Sequence, residues 1–159
     1  MSITKLNNLS ISAVTALPSG VGGKVLQVVS ASDSTQRTTT STSFVTASNT
    51  LSVSITPSSA SNKVLIIGHT TVTNNTANKS TYLTVYRGAT NLGDASSGFV
   101  NYYSVDGVDY NSNAFTFLDS PSSTSALTYQ VYLKADPSST GYVNANSAKG
   151  SITVLEIAG

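Results

Sequence analysis

A single histidine, seven acidic residues and no cysteine set narrow limits on the chemistry open to this chain of 159 residues. His69 could serve a Ser-His-Asp relay, but no serine lies in the G-x-S-x-G setting that presents a nucleophile on a strained elbow. Hydrolysis by paired carboxylates needs two of them held at a fixed gap. The acidic side chains are scattered from Asp33 to Glu156, and the closest pair is Asp106-Gly107-Val108-Asp109. Asp is favoured in such a turn simply because it bonds its own backbone. A calcium ion could sit between those two carboxylates, although the EF-hand spacing is absent. The stretch Gly20 to Lys24 falls short of a phosphate loop, with Pro18 where a glycine is needed and Val25 where a hydroxyl is needed. No catalytic site and no cofactor emerge.

Recognition chemistry is better represented. Tyr102, Tyr103 and Tyr110 stand with Asn101, Asp106, Asp109 and Asn111 in the stretch Asn91 to Asn113, which holds Gly93, Gly98 and Gly107 and reads as a surface loop. Tyrosine offers a large amphipathic contact area at low entropy cost, and Asn and Asp supply hydrogen bonds suited to sugars. Tyr102, Tyr103, Asp106, Asp109 and Tyr110 are therefore the candidate contacts to a glycan or a partner. The alternative is an inter-subunit contact or ordinary loop packing.

The elements that would position these residues read as strand, turn, strand. Leu51, Val53 and Ile55 alternate with Ser52, Ser54 and Thr56, the period of a half-buried strand, and Pro57 ends the run because it cannot donate to a ladder. Lys24 to Ser30 and Lys63 to Val72 read as strands, the second a continuous apolar core strand that turns polar at His69. Thr81 to Arg87 sets Tyr82, Thr84 and Tyr86 against Leu83 and Val85, and Ala114 to Leu118 places Phe115 and Phe117 on one face. Leu127 to Lys134 sets Tyr129, Val131 and Leu133 against Thr128, Gln130 and Tyr132, and Ser151 to Ile157 closes with Leu155 and Ile157 on one face. Eight to ten short strands without helical periodicity predict an all-β fold, a single β-sandwich or jelly-roll-like domain over residues 24–159.

Residues 1–23 differ. Ile3, Leu6, Leu9, Ile11, Val14 and Leu17 are spaced by twos and threes, and Pro18-Ser19-Gly20-Val21-Gly22-Gly23 follows as a hinge. This is either a segment packed on its own domain or an extended arm that docks on a neighbouring subunit or a larger assembly. Net charge is +1 and charged residues are 9% of the chain, with Lys and Arg unclustered, so no nucleic-acid stripe is present. The longest apolar run, Val64 to Ile67, is far below the ~20 residues that span a membrane as a helix, so no membrane insertion is expected. Asn7, Asn8, Ser10 and Ser12 interrupt any apolar stretch near Lys5, so no signal peptide is expected either.

Several segments, taken in order, resemble small virion proteins of tailed phages, particularly those of cyanobacteria. They are Ile3-Thr4-Lys5-Leu6-Asn7-Asn8, Gly23 to Val29, Thr39 to Val45, Leu51 to Pro57, Lys63 to Ile66, Tyr86-Arg87-Gly88, Leu118 to Pro121 before Thr128-Tyr129, and Leu155-Glu156-Ile157. The resemblance implies a non-enzymatic structural protein located in the virion, similar to tail-fibre, tail-associated or head-decoration subunits. It implies a homotrimer, docked through an N-terminal segment on tail or major capsid proteins. A tail appendage that touches the host surface leads over a capsid decoration protein. The reading from another class is a free carbohydrate-binding module, and a hydrolase using His69 or Asp109 ranks last.

Overall fold

The computed structural model describes residues 24–107 and 109–159. The arm and its boundary at residue 23, with Ile3, Leu6, Leu9, Ile11, Val14 and Leu17, lie outside the described residues. Eleven strands follow: β1 (Val25–Asp33), β2 (Arg37–Thr39), β3 (Ser52–Ile55), β4 (Lys63–Asn74), β5 (Lys79–Arg87), β6 (Thr90–Asn91), β7 (Val100–Ser104), β8 (Asn111–Asp119), β9 (Leu127–Ala135), β10 (Gly141–Val143) and β11 (Gly150–Ile157). One short 3-10 turn at Ala145–Ser147 precedes β11. The fold is all-β, two antiparallel sheets packed as a sandwich. The strands beyond the predicted range are short ones: β2, β6 and β10 have three, two and three residues, too few to carry a period.

The front sheet is built on the 12-residue β4. Along one edge of β4 lie β11 and then β10, and β8 takes the other edge; β1 flanks β11 and β2 flanks β10. The back sheet runs β3-β9-β5, with β6 and β7 sharing the far edge of β5. Val64, Ile66, Val72, Ile152 and Val154 from the front meet Leu51, Val53, Leu83, Val85, Val131 and Leu133 from the back, all at most 5% exposed. All but Leu51, which stands just before β3, lie on strands, where successive side chains point to opposite faces. Phe115 lies over Gly68, its cross-strand partner, where a Cβ would come within 2.2 Å of the ring. The glycine makes room for the aromatic ring.

Two expectations need correction. Asn91 to Asn113 is not one loop, because β7 lies inside it and β8 begins at Asn111. Nor is β4 buried on both sides. Val64 and Ile66 face inward, but Leu65 and Ile67 face outward, and Ile67 is 44% exposed. In β11, Leu155 and Ile157 do share a face, and it is the outer one, which turns Glu156 into the interior at 1% exposure.

One polar cluster joins the sheets, and a second ties the front sheet to the β3–β4 connection. Arg87 Nη1 donates to Asp119 at 2.7 and 2.6 Å, and Tyr129 Oη donates to the same carboxylate at 2.8 Å. Arg87 and Tyr129 belong to the back sheet and Asp119 to the front. Burial first, then the bond and charge of Asp119, push the Tyr129 phenol well above its ordinary range. Glu156 accepts from Gln27 Nε2 and Asn62 Nδ2, both at 2.5 Å, and from the Ser58 backbone N–H and Oγ at 2.6 and 2.8 Å. Burial alone would raise this carboxyl, yet the donors win and hold it at about 2.

Candidate functional site

The tyrosines singled out in the sequence do not act alike. Alternation along β7 turns Val100, Tyr102 and Ser104 inward and Asn101 and Tyr103 outward. Tyr102 is only 9% exposed, and its hydroxyl donates to the Asp109 carbonyl at 3.0 Å. It is a packing residue, and as a surface contact it is withdrawn. Tyr103 and Tyr110 are 53% and 59% exposed. Tyr103 Oη donates to Asn78 Oδ1 at 2.9 Å, so it braces the β4–β5 turn.

The Asp106–Asp109 turn has its own internal logic. Asp109 Oδ2 accepts from Ser104 Oγ at 3.2 Å and from the Val105 N–H at 3.1 Å, and the Gly107 N–H donates to Ser104 Oγ at 2.9 Å. Gly107 has φ +79°, and a Cβ there would stand 2.9 Å from Ala77 N and 3.1 Å from Asn75 O. Only glycine lets this turn lie against the β4–β5 turn. Asp106 is exposed beside it. Asp109 is thus engaged in shaping the turn, and among the described residues no three potential metal ligands come together.

Where these two turns meet β2 and β10, a cleft of about 240 Å³ opens, lined by Gln36, Thr73, Asn75, Gly107, Tyr110 and Tyr142. Its two amides are half used. Gln36 Oε1 accepts from the Asn146 N–H at 2.8 Å, and Asn75 Oδ1 accepts from the Thr140 N–H at 2.8 Å and from Thr76 Oγ1 at 3.0 Å. Among the described residues neither NH2 group has a partner, and neither do the hydroxyls of Tyr110 and Tyr142. Two amide donors and two phenols around a small cleft suit a ligand rich in hydroxyls. Of the predicted contacts only Tyr110 lines it. Gln36, Thr73, Asn75 and Tyr142 were missed, since they come from segments that the fold, not the chain order, brings together. The faint signal was Tyr142 between Gly141 and Val143, an aromatic at the outward position of a short alternation.

His69 does not line this cleft; it is exposed on the outer face of the front sheet, with Nδ1 2.9 Å from Ser151 Oγ. Among the described residues no carboxylate bonds the ring, so the triad lacks its third member.

No family model matches the chain, and no curated protein matches it. Among solved structures it is similar to infectious bursal disease virus Gx strain, at 12% identity and a TM-score of 0.49, over 81% of this chain and 32% of that one. It is also similar to the VP2 subviral particle of infectious bursal disease virus, at 15% identity and a TM-score of 0.48, with the same coverage. At such identities the likeness concerns the fold alone, and this chain spans about a third of those proteins (32%).

Proposed function

We propose that this is a non-enzymatic structural protein of a tailed-phage virion, a tail-appendage subunit attached at one end of its sandwich and meeting host-surface glycans at the other. The observation that carries the reading is polarity. Residues 1–23 join the domain at Lys24, beside the paired ends Val25, Ile157 and Lys63. The cleft with Tyr110 and Tyr142 lies at the opposite end of β4, at Thr73 and Asn75. The 12 residues of β4 separate the two by roughly 35 Å. A module attached at one end and adhesive at the other has this layout. The order of strand-and-turn segments that resembles small virion proteins agrees with it, and the homotrimer belongs to the same reading.

Immuno-electron microscopy of particles from the source lysate tests the proposal. Label at the tail, together with binding of the purified protein to intact host cells, is the expected result. Label spread regularly over the head would replace the appendage with a capsid decoration protein. Unlabelled particles would remove the virion reading and leave a free carbohydrate-binding module in first place.

A further inference from the structure

The outer face of the front sheet is apolar over half its length. Register carries one row across the sheet: Val28 pairs with Leu155, Leu155 with Leu65, and Leu65 with Leu118. Four large aliphatic side chains thus stand abreast on neighbouring strands, about 14 Å from first to last at ~4.8 Å per strand. Ile67 extends the patch along β4 and Ile157 extends it the other way along β11, while a bulge at the start of β1 leaves Val25 and Leu26 beside them. Val28, Leu26 and Leu118 are 58%, 49% and 47% exposed. Of these rows only Lys63 is charged, and further along the face turns to Ser30, Thr153, Thr116 and Ser151. Single exposed aliphatics are ordinary, but a contiguous patch of them marks a surface that something covers.

We propose that residues 3–17 of the same chain lie across this patch, with Ile3, Leu6, Leu9, Ile11, Val14 and Leu17 against the row from Val28 to Leu118. The segment joins the domain at the apolar end of this same sheet, where the Ala158 N–H donates to the Lys24 carbonyl at 2.8 Å. The hinge of residues 18–23 reaches roughly 20 Å, more than the ~14 Å across the row, so the chain can double back onto it. Charge is compatible, because Lys5 is the one charged side chain of residues 1–17 and Lys63 the one on the apolar rows. Neither needs to be buried. A tethered segment also acts at an effective concentration near millimolar, which favours it over a copy arriving from solution. This inference holds whether or not the protein belongs to a virion. If it does, the attachment end is the arm and the sheet together.

The full chain tests this directly, since the absence of cysteine allows one clean label. Thr116→Cys, exposed on the outer face beside Ile67, takes a nitroxide on a 15N-labelled chain. Amide signals of residues 3–17 should lose most of their intensity relative to the chemically reduced label. In an equal mixture of 15N chains without nitroxide and unlabelled chains carrying it, those signals should stay sharp. Equal broadening in the mixture would assign the patch to the arm of a second copy, and no broadening in either sample would put the arm elsewhere. Both results overturn the proposal. Adding Val28→Asp and Leu118→Asp to the spin-labelled chain should restore the signals, and broadening that survives these changes would equally reject the seat named here.

Discussion

Glu156 is held charged in the sandwich interior by Gln27, Asn62 and Ser58, four donors on one carboxylate. Its folded value of about 2 lies below the ordinary 4.5. A lowered carboxyl contributes stability that is fully present above 4.5 and is lost as the pH falls from there toward 2. The shift corresponds to about 3 kcal/mol. Glu156→Gln points an NH2 group at donors and should cost about 2–3 kcal/mol at pH 7 in urea unfolding. The variant should also lose most of the acid sensitivity of the parent between pH 4.5 and 2. Parallel pH dependence in parent and variant would show that another group carries it. Nothing in the local pattern Val154-Leu155-Glu156-Ile157 announces this role. Hydropathy alone would turn Leu155 and Ile157 inward, and the buried network decides otherwise, because its donors come from residues 94 to 129 positions away.

At the scale of elements, strands were legible wherever period two ran long enough. β3, β9 and β11 announce themselves, since each alternates over four or more residues and buries one face, and β5 alternates in hydropathy although Thr84 is buried as fully as Leu83 and Val85. β7 stayed hidden because Tyr102 and Tyr103 have the same residue type, so hydropathy does not alternate although burial does. The same ambiguity blurred the site, where only strand geometry separates the packing tyrosine from the exposed ones. Tyr102→Ala should therefore cost about 3 kcal/mol in stability through the space it leaves. Tyr110→Ala and Tyr142→Ala should leave the unfolding temperature near that of the parent and abolish retention on host-surface glycan. A stable Tyr102→Ala protein, or glycan retention that survives loss of both cleft tyrosines, would reverse these assignments. Between the sheets, Arg87→Met should cost about 3 kcal/mol by leaving Asp119, 6% exposed, without its cation. Adding Asp119→Leu should recover much of that loss, whereas a double variant no more stable than the single one would mean that Asp119 matters mainly to Tyr129.

At the scale of the whole molecule, charge is scarce and placed with purpose. The chain has 8 basic and 7 acidic residues against 28 Ser and 22 Thr, so uncharged hydroxyls far outnumber charges. Among the described residues the one ion pair, Arg87–Asp119, is largely enclosed between the sheets. Salt screens exposed charges, so it finds little here to weaken. The unfolding temperature at pH 7 should move by less than about 4 °C between about 0.05 M and about 1 M NaCl, equivalent to about 1 kcal/mol or less. Acid acts differently, because it reaches carboxylates that fold the chain. Burial alone would raise the Asp33 carboxyl, but the N–H groups of Thr50 and Thr35 at 3.0 and 2.8 Å lower it, and Glu156 is lowered further. Both shifts have the sign that removes stability as the pH falls. Thermal scans in two series, salt at pH 7 and pH from 5 to 2 at constant salt, should give a flat line and a steep descent. A steep salt series would put surface ion pairs in charge of stability. A flat pH series would mean that both carboxyls bind protons equally in the folded and unfolded chain, so that neither network lowers its carboxyl, and a stability that rises as the pH falls would mean that they are held neutral in the fold.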